Sequence, residues 1–374
     1  MVVPLVPLVD RVRRNAGPEE FAGLPSLEVS EDVARWTEAL ATGVFSPLEG
    51  FQHADDVRSV LRDLALPDGH LWSLPIVLAP ADDGFPDVPP GQDVLFTRDG
   101  RPFALFAFED AYPFDVDAFA SGALGTTSPD HPGVAYVRSA FGPRAYAGKV
   151  TLLGRPEWGP LEPYRLEPKQ TRRLFSERRW KSIVAFQTTN PPHRAYEYIH
   201  RTVLELYDGL FIHPVVDTVR PKYEPLSILQ GYRALIDHYY RPERVVLGAW
   251  RTKMLFAGPR DALHHAIVRR NYGCTHLVVG RRHADTQGWY GDYEAWGIFD
   301  RVDPGRLGIR PLFFREIFYC ARCGGHVTDG VCPHEDREPI SGTRVRATLK
   351  AGEAPPDHAM RPEVVATVRH SVVT

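Results

Sequence analysis

SIVAFQTTNPPHRAYEYIHRTVLELY, residues 182–207, is the stretch on which the reading of this chain turns. It opens with a short apolar run, SIVAF, of the length of a buried strand. A polar loop with a proline pair follows. AYEYIHRTVLELY then reads as a helix. The unit recurs downstream. LFIHPVV, RVVLGAW and THLVVG read as further buried strands, and SILQGYRALIDHYY and PRDALHHAIVRRNYG as helices between them. Strand and helix alternate across short connections, which predicts a parallel sheet of Rossmann type over residues 168–318.

Outward from this core the texture changes. Residues 27–162 show short apolar runs with frequent turns, among them LWSLPIVLAP and GVAYV, and one helix near 31–42. TRDGR, residues 97–101, reads as a hairpin turn. The expectation is a largely β N-terminal domain over 1–167. From residue 319 the chain becomes cysteine- and turn-rich and ends in a small helical appendage, giving a third segment over 319–374.

The chain of 374 residues has room for two or three domains. A net charge of −3 offers no global field for nucleic acid or an anionic membrane, so an anion site must be built locally. No apolar run approaches the ~18 residues of a membrane helix, and the apolar start lacks a basic leader and a small-residue cleavage site. Four cysteines do not make a disulfide scaffold in a chain of this length. A cytoplasmic protein is expected.

Ligands of such sheets bind at the carboxyl ends of strands. Two strand ends carry polar clusters. The first is Gln187, Thr188, Thr189, Asn190, His193 and Arg194. The second is Gly280, Arg281, Arg282, His283 and Ala284. A helix opening at His193 would turn free N–H groups toward a phosphate, and Asn190 suits an N-cap or a direct donor. A lone histidine beside prolines also reads as a plain helix start; two clusters on one sheet favour an anion or nucleotide site. Cys320-x-x-Cys323 and Cys332-x-His334 fit a structural Zn²⁺ site, with His326 the alternative fourth ligand. His264 and His265 read as helix packing and Cys274 as core, while His213 ends a strand and reads either as a core histidine or as one that touches the site. Lys222 and Arg220 read equally as phosphate contacts and as solvated charges.

Several long ordered stretches resemble one family, ATP sulfurylase (sulfate adenylyltransferase). GVFSPLEGF, VAFQTTNPPHRAYEY, MLFAGPRDALHHAIVRRNYGCTHLVVGRRHAD, YGDYEAWGIFD, SGTRVR and MRPEV carry the resemblance. It implies a PUA-like N-terminal domain, a nucleotidyltransferase catalytic domain and a homo-oligomer. It also implies transfer of AMP from ATP to an oxyanion with release of pyrophosphate, Mg²⁺ accompanying ATP. By resemblance His193 and Arg281 hold phosphate oxygens, Asn190 orients them, and the loop from Gly280 to Ala284 lines the nucleotide and acceptor, with Gln187 keeping its family identity.

The departures are chemical. The family pattern QTRNPxHxxH has its arginine replaced by Thr189 and its second histidine by Tyr196. GRDHAG reads GRRHAD, placing Arg282 where an aspartate stands and Asp285 where a glycine stands. Leu255 replaces the arginine of MRYAGP, and DTVR stands for GETK. Loss of an arginine at an oxyanion site removes two charge-assisted donors. The expectation is an altered acceptor pocket suited to a phosphonate, a sulfonate or a phosphate or sulfate ester. Ordinary sulfate activation is the alternative, and a non-catalytic nucleotide-binding relic a second one.

Overall fold

The structure is a computed structural model that describes residues 6–13, 18–82 and 84–373, so the first five residues of the apolar start lie outside it. In the N-terminal half, β1 (Ser26–Glu28), β2 (Gly50–Phe51), β3 (Leu78–Pro80), β4 (Asp93–Arg98), β5 (Arg101–Pro113) and β6 (Phe141–Leu152) form one sheet. Its order is β1-β4-β5-β6-β2, with β3 beside β6. The TRDGR turn joins β4 to β5. Asp99 and Gly100 both hold positive φ, 51° and 70°, as a two-residue hairpin turn matched to strand twist requires.

The expected helix is α1 (Glu31–Ala41), capped by the Ser30 side chain, which accepts from the Val33 N–H. Three more helices were not foreseen: α2 (Ala54–Asp63), α3 (Val116–Leu124) and α4 (Pro132–Ala140). GVAYV, read as one of the strand-like runs, lies inside α4. Pro132 opens that helix, and His131 Nδ1 accepts the N–H groups of Gly133 and Val134 at 3.1 and 3.4 Å. This local cap outweighs the strand preference of two valines and a tyrosine.

The next unit follows the predicted alternation. α5 (Pro168–Glu177) leads into β7 (Ile183–Phe186), α6 (Arg194–Leu206), β8 (Gly209–Ile212), α7 (Pro225–Tyr239), β9 (Val245–Leu247), α8 (Pro259–Asn271) and β10 (His276–Val279). Two short helices, α9 (Glu294–Gly297) and α10 (Pro304–Leu307), precede β11 (Arg310–Phe313). The sheet is parallel throughout, in the order β11-β10-β7-β8-β9. Successive residues feed different cores. Ile183, Ala185 and Phe211 face the core shared with the N-terminal half. Val184, Phe186, Leu210 and Ile212 face a second core. The strand order reverses between β7 and β10, so the crevice at their carboxyl ends is the topological switch point.

The last segment holds β12 (Ile317–Cys320), β13 (Gly325–Thr328) and β14 (Arg337–Pro339), an antiparallel sheet in the order β13-β12-β14. α11 (Gly342–Lys350) and α12 (Pro362–Val368) follow. They are no appendage. Val345, Leu349, Met360, Val364 and Val368 complete the second core with α6 and α7. Gly231 of α7 brings its backbone close to Pro192, Val364 and Thr367, within 3.2–3.4 Å of where a Cβ would stand.

The halves are tied by buried polar bonds. Asn271 Nδ2 donates to the carbonyls of Val44 and Ser46 at 3.0 and 2.8 Å. Truncation to Asn271→Ala strands both carbonyls, at about 1–3 kcal/mol for an unsatisfied buried group. The expected outcome is a Tm lower by roughly 4–8 °C in differential scanning calorimetry. A shift below one degree would show that this tie does not hold the halves together.

Candidate active site

β7 ends at Phe186 and β10 at Val279, side by side. Their loops meet in one cavity that opens to solvent. Gln187, Thr188, Thr189, Asn190 and Tyr196 line one wall. Gly280, Arg281, Arg282, His283, Ala284 and Asp285 line the other. Met254 and Phe256 come from the loop after β9, and Lys222 from the loop before α7. Met254 and Phe256 were not nominated from sequence; the quoted MLFAGP stretch was their only signal.

The first loop is held from within. Thr188 Oγ1 accepts the Asn190 N–H at 3.1 Å, and the Tyr232 hydroxyl donates to the Asn190 carbonyl at 3.3 Å. The N-cap of α6 is His193, not Asn190, and the His193 side chain makes no capping bond. The Asn190 amide is therefore left beside the cavity. The expected free helix terminus is partly closed, because the Arg194 N–H donates to the Ala359 carbonyl at 2.9 Å.

Two nominated residues do not line the cavity. Arg194 turns to the opposite face, where its Nε lies 3.4 Å from a Glu197 carboxylate oxygen. His193 is buried behind Tyr196, the two rings stacked at 3.8 Å. Burial first, then the nearby His326, pulls the His193 imidazole down to about 3, so it is neutral. Its ring stacks on Tyr196, which lines the cavity.

The second loop carries its charges already paired. Arg281 Nε donates to Asp292 at 2.9 Å and its Nη1 to Glu316 at 2.8 Å. Arg282 Nε donates to the other Asp292 oxygen at 2.6 Å, and the Arg282 side chain is about half exposed. Arg282 thus leans on Asp292 rather than into an empty wall. Asp285 Oδ1 accepts the N–H groups of Gln287, Gly288 and Trp289.

His283 is set from behind. Its Nε2 stands 2.9 Å from His265 Nδ1, so one ring donates to the other. His265, read as helix packing, is buried in α8 and backs His283. Burial and the charge of Arg269 pull His283 down to about 3 and His265 well below its usual value. Asp261 lies 3.9 Å beyond His265 Nε2, and burial raises it to about 7. His213 is core, stacked on Phe211 at 4.4 Å. Cys274 is a buried free thiol. Leu255 is buried in the apolar core.

The cysteine cluster closes as a separate site. The ligand atoms of Cys320, Cys323, Cys332 and His334 lie within 4.8 Å of one another. Cys323 and Cys332 sulfurs are 3.7 Å apart, and His334 Nδ1 is 3.3–3.6 Å from the three sulfurs. A tetrahedron with Zn–S bonds of roughly 2.3 Å has edges of about this length. His326 is elsewhere engaged, its Nε2 2.9 Å from the His358 carbonyl.

Two loops converging at the switch point of a parallel sheet define a nucleotide-handling α/β enzyme. Comparison with known proteins makes this specific. The ATP-sulfurylase family model matches residues 162–371, and a PUA-like domain matches residues 3–155. A sulfate adenylyltransferase of Hyperthermus butylicus is 44% identical, covering 96% of this chain and 94% of the relative. One of Chloroflexus aurantiacus is 43% identical over 98% and 96%. A solved structure described as a hexameric APS kinase from Thiobacillus denitrificans matches with a TM-score of 0.77 at 25% identity, covering 98% of this chain and 68% of that one. The chain belongs to the ATP-sulfurylase family, and it is a nucleotidyltransferase.

His265→Ala leaves the His283 ring without its inner partner. Kcat/KM for ATP is expected to fall roughly tenfold, the kinetic equivalent of about 1.4 kcal/mol, with partial rescue in His265→Gln. A purely structural role would lower Tm in both variants and leave their kcat/KM ratio at one.

Proposed function

We propose that the chain transfers AMP from ATP to sulfate, releasing pyrophosphate and forming adenylyl sulfate. The convergence of both polar strand ends in one cavity carries the reading. The near full-length relatives named sulfate adenylyltransferase support sulfate over an altered acceptor.

In this scheme a sulfate oxygen attacks the α-phosphorus, a new P–O bond forms, and the bond to the β-phosphate oxygen breaks with its electron pair leaving on pyrophosphate. No proton transfer and no covalent enzyme intermediate are needed. The protein contributes alignment and charge stabilisation. Gln187 and Asn190 offer neutral amide donors, and His283 offers a neutral imidazole. Arg281, currently shared between Asp292 and Glu316, is the cation for phosphate oxygens. Mg²⁺ enters with ATP, as expected for phosphoryl chemistry.

A second reading, a bulkier oxyanion such as a phosphonate or sulfonate, has one specific observation behind it. The wall from Gln187 to Asn190 bears no charge, and Arg282 is bound to Asp292. Pyrophosphate release separates the two. With MgATP, sulfate is expected to raise release at least tenfold over the acceptor-free rate. No stimulation by sulfate together with stimulation by methylphosphonate or a sulfonate would replace the first reading with the second.

The thiol cluster is read as a structural Zn²⁺ site held by Cys320, Cys323, Cys332 and His334, with no open position for substrate. Three reduced thiol ligands suit the cytoplasm. No helix among the described residues is long and apolar enough to cross a membrane. A homo-oligomer is the expected assembly. Purified protein should carry about one zinc per chain by mass spectrometry of the metal, and Cys323→Ser should carry less than half of that. Full zinc content in the variant would remove Cys323 from the ligand set.

A further inference from the structure

Three cationic side chains line the cavity: Lys222, Arg281 and Arg282. Two of them are neutralised where they stand, Arg281 by Asp292 and Glu316 and Arg282 by Asp292. The lining carboxylate, Asp285, is occupied by backbone N–H groups of its own loop. The opposite wall, Gln187 to Asn190, is polar and uncharged. Lys222 alone of the three has no ion pair and no side-chain hydrogen bond among the described residues. It is half-buried, and it stands on the loop between β8 and α7, facing the switch point.

A half-buried ammonium without a partner is costly in the empty protein and gains most when an anion arrives. Its surroundings add to that tension. Burial is the main influence on Lys222, Arg346 of α11 and Arg220 of its own loop repel its charge, and Asp285 opposes them. Two further cations nearby make the corner electropositive although the chain as a whole is slightly acidic.

We infer that Lys222 is the acceptor-recognising cation of the cavity, the residue that neutralises the oxyanion as it approaches the α-phosphorus. The inference rests on the adenylyl-transfer reading and names the residue that sets acceptor charge within it. The neutral wall from Gln187 to Asn190 then supplies shape and hydrogen bonds, and the charge comes from the loop after β8. A single flexible ammonium places fewer geometric demands than a planar guanidinium, so a tetrahedral anion with or without a substituent can meet it.

The test uses the full chain with Mg²⁺ and α,β-methylene-ATP, titrated with sodium sulfate, alongside kcat/KM for sulfate with ATP. Lys222→Met is expected to weaken sulfate roughly ten- to hundredfold in both measurements, while binding of the ATP analogue changes less than about threefold. Lys222→Arg should recover most of the loss. The free ammonium sits at about 8, so wild-type kcat/KM for sulfate should fall as pH rises through 8, where the cation is lost. In Lys222→Arg that fall should be absent up to about pH 10. Unchanged sulfate affinity in Lys222→Met overturns the inference. So does a loss confined to the ATP analogue, which would make Lys222 a triphosphate contact. A wild type that binds sulfate but releases no pyrophosphate sinks the adenylyl-transfer reading, and the titration still decides the role of Lys222. A wild type that binds no sulfate overturns the assignment.

Discussion

A parallel strand buried on both faces leaves polar chemistry nowhere to stand except its ends. That constraint organises the molecule. Ile183 and Ala185 of β7 belong to one core and Val184 and Phe186 to the other, so the strand offers a ligand only the apolar ring of Phe186 at its end. The first position past burial is Gln187, and the corresponding position after β10 is Gly280. Because β7 and β10 are neighbours on which the strand order reverses, these two exits share a crevice. The N-terminal half and the C-terminal helices then close the two apolar faces, and Asn190 sits within 3.6 Å of where a Cβ on Gly342 of α11 would stand. The cavity is what remains when both faces are covered.

Burial also decides the charge of the histidines. Arg269 lies fully buried with its guanidinium 4.5 Å from the centroid of the Trp250 ring, one nitrogen donating to the His213 carbonyl at 2.9 Å. Desolvation acts first on the surrounding imidazoles of His213, His264, His265 and His283, and the Arg269 charge adds to it. All are held neutral around pH 7. A cavity backed by histidines would suggest an anion site built from imidazolium ions. Here His265 and His283 hydrogen-bond each other as neutral rings, and positive potential has to come from arginine and lysine.

This explains what was legible in the sequence. β7 to β10 read correctly because each is a short, mainly apolar run, and α6, α7 and α8 because each spans 13 or 15 residues; β11 and the four-residue α9 and α10 were not read. α2, α3 and α4 are nine or ten residues long and lie among strand-like runs, and α2 and α4 open on histidines, His53 and His131, rather than on a usual cap residue. The convergence of the two loops followed from topology, so the cavity was foreseeable. The direction of each side chain was not. Arg194 and His193 flank the motif, yet a helix that starts at Arg194 turns the first toward Glu197 and buries the second behind Tyr196. His265 read as packing because its partner, His283, lies eighteen residues away on another element. The side chain beside the three cysteines, left open between His326 and His334, is His334, because the pairing of β12 with β13 sends His326 toward His358.

The loop after β10 carries a further consequence of the same constraint. Arg282 and Ala284 hold positive φ, 51° and 55°, without being glycine. Such backbone costs of order 1 kcal/mol or more and persists only where neighbours impose it. Here Asp285 gathers the following N–H groups, and the Arg282 N–H donates to the Asp292 carbonyl at 2.7 Å. The loop's shape is thus fixed by backbone bonds, independently of its side-chain ion pairs. The pairs of Arg281 and Arg282 with Asp292 and Glu316 are partly exposed, and exposed pairs contribute only about 0–1 kcal/mol each. Exchanging one of them for a phosphate oxygen is therefore inexpensive, while the loop that presents the arginine stays put. A rigid backbone carrying exchangeable charges fits the role proposed for Arg281, whose guanidinium is paired at rest and can change partners without moving the loop.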